Sequence, residues 1–409
     1  MFDIRKHPFD RAHYCMEVGG EAMIFHCHHY LNYLLRSILD ADYIDSRPFL
    51  IGSAADAVYG QLSQLCQGLS PEDAKKMAAS VYKTFGYGLI DLSGMTEEGV
   101  VLSTVKSFFS KTWPMKFGRS DKPVDYYTSG FLAAAYAVIY GRPLSQVHVE
   151  QSSCMACGDA CNTHVVRPGP GNFAIYPPKN PTRYGEQPHP DTSWAPQAII
   201  TQAFTGAHEQ MVGNEEGYIP AFGVYLARNQ SDYVNRLQFE FKRALRDVAG
   251  EYGEKLGTEL LLESGHACGF FTYGGVMTSE EWQAVVKPHL RTREDWIRGL
   301  AALINTMGWG CHVAVELSPE RAVFRNYNDF EDLSYMRMYG RADKPVPTAT
   351  SGGYSGLMHL VYSTDLVHGE IVDTEEGFRQ LRRAKAKYKA RMRKSIASGD
   401  GYLEVEISL

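Results

Sequence analysis

Apolar positions recur at helical spacing in two well-separated stretches of the chain. Val81, Tyr82 and Phe85 share one helical face, and Leu300, Leu303, Ile304 and Met307 share another. Ser70 and Thr292 precede these stretches and read as N-caps, each followed by acids that suit the positive end of a helix. Gly86 and Gly308 end them as C-cap glycines. GLIDLSG and HVAVELS follow as strands, with TEEG and SPER as tight turns into VVLSTV and AVFRNY. Thr128 and Thr350 are placed to cap a second helix, FLAAAYAVIYG in one stretch and GYSGLMHLVYS in the other. The pattern predicts an α+β fold whose units hold a helical lead, a hairpin, another helix and terminal strands around a small antiparallel sheet.

These parallels belong to an internal repeat. GRSDKPVDYYTSG begins at Gly118 and GRADKPVPTATSG at Gly340, with nine of thirteen positions identical at an offset of 222. The same offset aligns Gly86-Tyr87-Gly88 with Gly308-Trp309-Gly310, and Ser70 to Asp73 with Thr292 to Asp295. One offset held over such a span predicts two tandem copies packed with approximate twofold symmetry. The expected division is a first repeat over 1–166, a segment over 167–215 and a second repeat over 216–409. The second repeat carries extra residues before Thr292, SGHACGFFTYGG among them, and a basic stretch from Arg379 to Lys394 that reads as a solvated helix. The Pro- and Gly-rich run from Arg167 to Gln197 is aromatic enough to predict an ordered strap rather than a flexible linker.

Composition narrows the function classes. A chain of 409 residues with 44% apolar and 22% charged residues has the profile of a globular protein of about two domains. No run of about 18 apolar residues is present, so no membrane span is expected. The N-terminus has no apolar signal core, which points to the cytoplasm. A net charge of −6 argues against a broad nucleic-acid surface. Eight cysteines are too few for a disulfide scaffold of this length, yet Cys154, Cys157 and Cys161 fall close together. In a cytoplasmic chain that clustering reads as metal or redox chemistry.

The stretch QVHVEQSSCMACGDACNTHVV places Glu150 ahead of Cys154, Cys157, Gly158-Asp159 and Cys161, between two strands. This resembles the ending of the 4-vinyl-reductase-type ligand-binding domain, with a Glu, a Cys, a Gly-Asp pair and a final Cys. The resemblance covers about 60–166 and, through the repeat, extends more weakly to about 280–372. It implies the fold shared with TRAPP vesicle-transport subunits and haem–nitric-oxide-binding sensors, with a buried small-molecule cavity between helices and sheet. It also implies a metal beside that cavity, as in the sensor domains of phenol-responsive activators, with Glu150, Cys154 and Cys161 as the matching ligands. Cys157 adds a thiol beyond the family pattern. Zinc is the first expectation for such soft ligands, and an iron–sulfur cluster or haem is the alternative. The corresponding stretch of the second copy, read as EIVDTEEGFRQLRRA, has no cysteine.

A second unusual cluster is Phe25-His26-Cys27-His28-His29-Tyr30. His26, His28 and His29 are the catalytic candidates, because a helix or a strand here places two imidazoles near one metal or proton. His266 and Cys268 of SGHACG are weaker cofactor-binding candidates, as is the Cys311-His312 pair. No phosphate loop, dinucleotide fingerprint, G-x-S-x-G elbow or H-E-x-x-H occurs. The expected function is a stand-alone metalloprotein that binds a small, aromatic or apolar molecule and transforms it by redox chemistry. The alternative is a non-catalytic ligand-binding or sensory protein with a structural zinc. Its partner is a small molecule in either case, and a homodimer is compatible with both.

Overall fold

The computed structural model describes residues 1–180, 194–363, 375–383 and 387–409. The chain opens with a hairpin, β1 (Glu17–Val18) and β2 (Glu21–Cys27), that runs directly into α1 (His28–Leu39). Next come α2 (Arg47–Leu65), α3 (Pro71–Thr84), β3 (Val100–Thr104), α4 (Phe108–Phe117) and α5 (Tyr126–Ile139). β4 (Val147–Ser153) and β5 (Asn162–Pro168) close this first unit, and α6 (Gln197–Ala207) leads into the second. There a hairpin, β6 (Ile219–Ala221) and β7 (Val224–Gln230), runs directly into α7 (Ser231–Thr278). The α7 backbone leaves helical geometry at Ala249 and Gly250, so the helix has two limbs that stand where α1 and α2 stand in the first unit. The chain continues through α8 (Glu280–Val285), α9 (Arg293–Ile304), β8 (Cys311–Leu317), β9 (Arg321–Tyr327) and α10 (Phe330–Tyr339). It ends with α11 (Ala349–Ser363), α12 (Glu375–Arg383), β10 (Lys389–Lys394) and β11 (Leu403–Ser408). The protein is α+β, with small antiparallel sheets ordered β1-β2-β7-β6, β3-β5-β4 and β10-β11-β9-β8.

The local signals act largely as the sequence suggests. Ser70 accepts the Asp73 N–H, and Thr292 and Asp295 close a reciprocal capping box. The second helix starts a turn earlier than expected in the first unit. Asp125 holds its N-cap position, and Thr128 donates its hydroxyl to the Asp125 carboxylate. The repeated Ser-Gly that follows serves packing instead: a side chain on Gly130 would meet the Ile51 carbonyl of α2, and one on Gly352 the Leu262 carbonyl of α7. Only a residue without Cβ lets those helices cross so closely.

Three expectations are corrected. GLIDLSG is not a strand, because Asp91 accepts the Ser93 N–H in a local turn that breaks the ladder, whereas HVAVELS does form β8. The basic stretch from Arg379 is not one helix: α12 ends at Arg383, and 389–394 forms an edge strand on β11 with residues alternating between exposed and half-buried. The second unit's counterpart of the cysteine loop is not EIVDTEEGFRQLRRA but the segment from Ser395 to Asp400. In the first unit Cys154 N–H bonds Asp159 Oδ2 at 2.8 Å while Cys157 N–H bonds the Cys154 carbonyl at 2.9 Å. In the second, Ser395 N–H bonds Asp400 Oδ2 at 3.0 Å and Ser398 N–H bonds the Ser395 carbonyl at 3.1 Å. Arg119 and Arg341 of the repeated GR-DKPV motif grip the two loops through the carbonyls of Cys157 and Ser398. That clasp accounts for the motif's recurrence.

The units join through β2 and β7. Met23 pairs with Gln230, Phe25 with Arg228 and Cys27 with Leu226, so the ladder is self-complementary about its Phe25–Arg228 centre. Each hairpin reaches into the other unit. Arg228 N–H bonds the Phe85 carbonyl, and the Trp309 indole donates to the Phe25 carbonyl at 2.8 Å. Gly86 lies against the Leu226 carbonyl, and Gly308 against that of Met23.

The strap is ordered through residue 180, and 181–193 lie outside the described residues. Asn172 brackets Val149 through both backbone groups, and Tyr176 stacks under the Arg236 guanidinium. Lys179 enters a cage of Glu21 (2.7 Å) and Asp232 (2.9 Å), so one strap cation pairs carboxylates from both hairpin ends.

Gly308 combines a positive φ of 85° with contact against the β2 backbone, so Gly308→Ala should cost about 2 kcal/mol or more in urea unfolding. Gly68→Ala, at φ 75° with open space around it, should cost about 1 kcal/mol. Equal costs would contradict the close approach of α9 to β2.

Candidate functional site

The helices of the first unit meet across a narrow gap whose free volume is about 10 Å³, room for about one water molecule. α1 supplies Leu31, Leu34 and Leu35, and α2 supplies Leu50. Phe109 of α4, Val124, and Tyr126 and Tyr127 of α5 complete its first-unit wall, while Tyr233 and Leu237 enter from α7 of the second unit. The helical spacing of Leu31, Leu34 and Leu35 turns all three inward, and packing across β2–β7 brings α7 over the top.

One wall of the gap is a stack of tyrosines. Tyr87 and Tyr127 stack with centroids 3.7 Å apart, and Tyr127 meets Tyr233 at 4.9 Å. The hydroxyls are satisfied at the rear: Tyr87 donates to Asn229 at 2.5 Å, Tyr127 to Gln230 at 3.3 Å, and Tyr82 shares a bond with Thr128 at 2.6 Å. Burial pushes the Tyr127 phenol well above its ordinary range, so the ring wall is neutral. Beneath it, burial acts to raise Asp125, yet contact with His164 (3.6 Å) and bonds from Thr128 and Ser107 hold it below the usual carboxylate value. His164 also bonds Ser129 at 3.0 Å. This Ser–His–Asp grouping is wholly buried, with Asn162 bonded to Asp125 at 2.7 Å. It orders the start of α5 against β5.

The second unit puts polar groups at the matching positions. Glu331 stands where Phe109 stands, and its carboxylate accepts the N–H groups of Thr348, Ala349 and Thr350 at the start of α11. Ala349 replaces Tyr127, and Thr348 bonds Gln238 across the same space at 2.9 Å. The two interiors therefore differ in chemistry, one lined by rings and leucines and the other holding a hydrogen-bonded carboxylate.

The sequence-flagged residues fall into separate places. His26 is buried with Tyr30 stacked at 4.4 Å and Trp309 at 4.7 Å, and neither ring nitrogen has a hydrogen-bond partner among the described residues. His28 Nδ1 accepts the Tyr225 N–H at 3.2 Å, and His29 packs on Phe271. None of the three lines the gap. Burial pushes His26 down to about 3 and His28 to about 4. His266 bonds His359 at 2.7 Å and so is tied to α11. Cys268 meets Cys27 instead, a pairing that strand-period reading from His26 and His28 passed over.

Cys154 is buried against Ser110 (3.6 Å), while Cys157 and Cys161 are half-buried, the latter beside Thr163 at 3.5 Å. Glu150 lies on the exposed face of β4, where strand alternation turns it from the inward-facing Val147 and Val149. Among the described residues no three His, Cys, Asp or Glu side chains are grouped as metal ligands. The loop's backbone also recurs with Ser395 and Ser398 in place of two thiols, so its shape does not depend on sulfur ligation. Tyr126, whose hydroxyl is pushed to about 12 by burial, lies beside Cys154 and Cys157, so the loop abuts the gap through this ring.

No family model matches the chain, and no curated protein matches it. Among solved structures the chain is similar to the crystal structure of the phenol-responsive sensory domain of the transcription activator PoxR with phenol. The identity is 13% and the TM-score 0.33, over 47% of this chain and 81% of that one. Likeness at that level assigns nothing further. No helix among the described residues is long and apolar enough to cross a membrane.

Two outcomes are expected of these residues. Cys154→Ser combined with Cys157→Ser should keep the thermal midpoint within a few degrees, whereas Asp159→Ala should cost about 1–2 kcal/mol by freeing the Cys154 N–H. A collapse of the double variant alone would show that sulfur, not backbone, holds the loop.

The second concerns pH. The folded state keeps His26 neutral while the unfolded chain protonates it below about 6.5, so its contribution weakens as pH falls from about 6.5 toward 3. Buried Glu21 and Asp332, pushed up to about 7, act in the opposite sense, so only the comparison with a variant isolates the histidine. The stability difference between wild type and His26→Phe should shift by about 2 kcal/mol in the variant's favour between pH 7 and pH 5. Urea unfolding at the two pH values measures it, and an unchanged difference would mean His26 is not held neutral.

Proposed function

We infer that this protein is a non-catalytic ligand-binding protein of the sensory kind, which holds a small aromatic molecule in the gap of its first unit. The observation that carries this reading is the origin of the lining: apolar side chains of α1, α2 and α4 face Tyr233 and Leu237 of the other unit. A ligand there touches both halves of the chain, so binding strengthens their association. The gap is apolar with a tyrosine wall, which favours a single ring over a charged metabolite. With room for only about one water molecule, the gap admits a ring only when the helices part by most of the ring's own volume, and that movement is what a sensor reports. The buried Ser129–His164–Asp125 group and the histidines around His26 do not open onto the gap, which weighs against catalysis in it. The cysteine loop beside Tyr126 is, in this reading, a support for the gap wall, and a zinc ion on it would be structural.

Calorimetric titration with phenol, 4-methylphenol and indole tests the reading. At least one should bind with a saturating heat signal and raise the unfolding midpoint, by about 2.7 kcal/mol of stability at a hundredfold excess over Kd. Leu34→Phe fills the gap and should weaken that binding at least tenfold while leaving the circular dichroism spectrum intact. Absence of binding by all three rings, or unaltered binding in Leu34→Phe, would overturn the assignment.

A further inference from the structure

The end of each hairpin strand reaches across to the second helix of the opposite unit. At the end of β7, Gln230 donates to Gln61 of α2 at 2.8 Å, a neutral clamp. At the end of β2 the matching positions hold Cys27 and Thr272, 2.7 Å apart, with Cys268 one helical turn earlier on α7. The Cys27 and Cys268 sulfurs lie 3.7 Å apart, and both residues are buried. So a clamp that is an amide pair on one side is a dithiol on the other. Neither the cysteine loop nor the gap uses these thiols.

The surroundings favour one of the two sulfurs as nucleophile. Cys27 is the N-cap of α1, where its Sγ accepts the Tyr30 N–H at 3.4 Å at the positive end of the helix. Thr272 adds a hydroxyl, and Cys268 is placed to donate its own proton to Cys27. Burial acts to raise the Cys27 thiol, and these bonds outweigh it and hold the thiol below its ordinary value. Cys268 is driven up by its bond to Cys27 and by burial. The Tyr30 hydroxyl, buried and without a hydrogen-bond partner among the described residues, sits close enough for both thiols to act on it.

We propose that Cys27 and Cys268 form a redox-active dithiol that a low-molecular-weight disulfide converts to a disulfide bond, tying the start of α1 to α7. The Cys27 thiolate attacks one sulfur of the small disulfide, forming a mixed disulfide and expelling one small thiolate, which takes up the Cys268 proton. The Cys268 sulfur then attacks Cys27, forming the internal bond and expelling the second small thiolate, protonated from solvent. The protein loses two electrons, and the small disulfide is reduced to two thiols. Both sulfurs are buried, so exchange proceeds through local opening at the start of α1 and is slow. The dithiol stands apart from the ligand gap and does not depend on its assignment.

The test exposes the folded, full-length protein to oxidised glutathione, quenches with acid, alkylates the remaining thiols and maps peptides by mass spectrometry. Wild type should yield a peptide pair linked through Cys27 and Cys268, abolished by dithiothreitol. Cys268→Ser should accumulate one glutathione adduct on Cys27, and Cys27→Ser should leave Cys268 free. Serine is itself a good N-cap, so Cys27→Ser keeps α1 intact, and the wild-type result stands whether or not the variants fold. The proposal is overturned if the linked pair is missing while half-buried Cys157 acquires adducts. It is equally overturned if the pair forms only in urea, or if the adduct settles on Cys268 instead of Cys27.

Discussion

The antiparallel pairing of β2 with β7 is the constraint on which the rest of this structure depends. Because its register is self-complementary about Phe25 and Arg228, each hairpin is delivered to the opposite unit, and each glycine-ended helix packs on a strand it does not precede. A slip of one residue would turn His26 and Asn229 to the faces now held by their neighbours and break every cross-unit contact at once. The centre is costly to bury. Arg228 lies over the Phe25 ring at 4.3 Å and donates through one terminal nitrogen to the carbonyls of His208 and Met211, while its Nε has no partner among the described residues and burial pushes its pKa down to about 9.

On this near-symmetric frame the interior is asymmetric. Phe109 opposite Glu331 and Tyr127 opposite Ala349 give the first unit an aromatic, apolar interior and put a carboxylate in the second. In the first, rings and leucines pack with room for only about one water molecule between them. In the second, a carboxylate occupies the space and takes up the free N–H groups of α11, a partner set that burial of that charge requires. A shared backbone carrying different side chains explains why the turns and clasps recur while the interior chemistry does not.

The two loops beneath the GR-DKPV motifs carry the same lesson. Arg119 and Arg341, Asp159 and Asp400, and Gly158 and Gly399 hold identical backbone turns, although one loop has thiols and the other hydroxyls. The turn is therefore a property of charge and backbone.

The sequence by itself determined the α+β class, the helices from Ser70 and Thr292, their glycine ends and the recurrence of a motif at one offset. These are local matters of capping, periodicity and turn chemistry, which neighbours in the chain decide. It also marked the cysteine loop and the histidine run, but not their surroundings. Tertiary structure alone decided that His26 is sealed between Tyr30 and Trp309, that Glu150 faces outward, and that Asp91 stops a strand which its counterpart completes. It alone found the second loop, because the inserted residues before β10 shift the offset and only the hydrogen bonds restore the match. The gap and the Cys27–Cys268 pair join residues from opposite units. Such contacts arise from the crossing of two hairpins, and the composition of neither partner segment contains them.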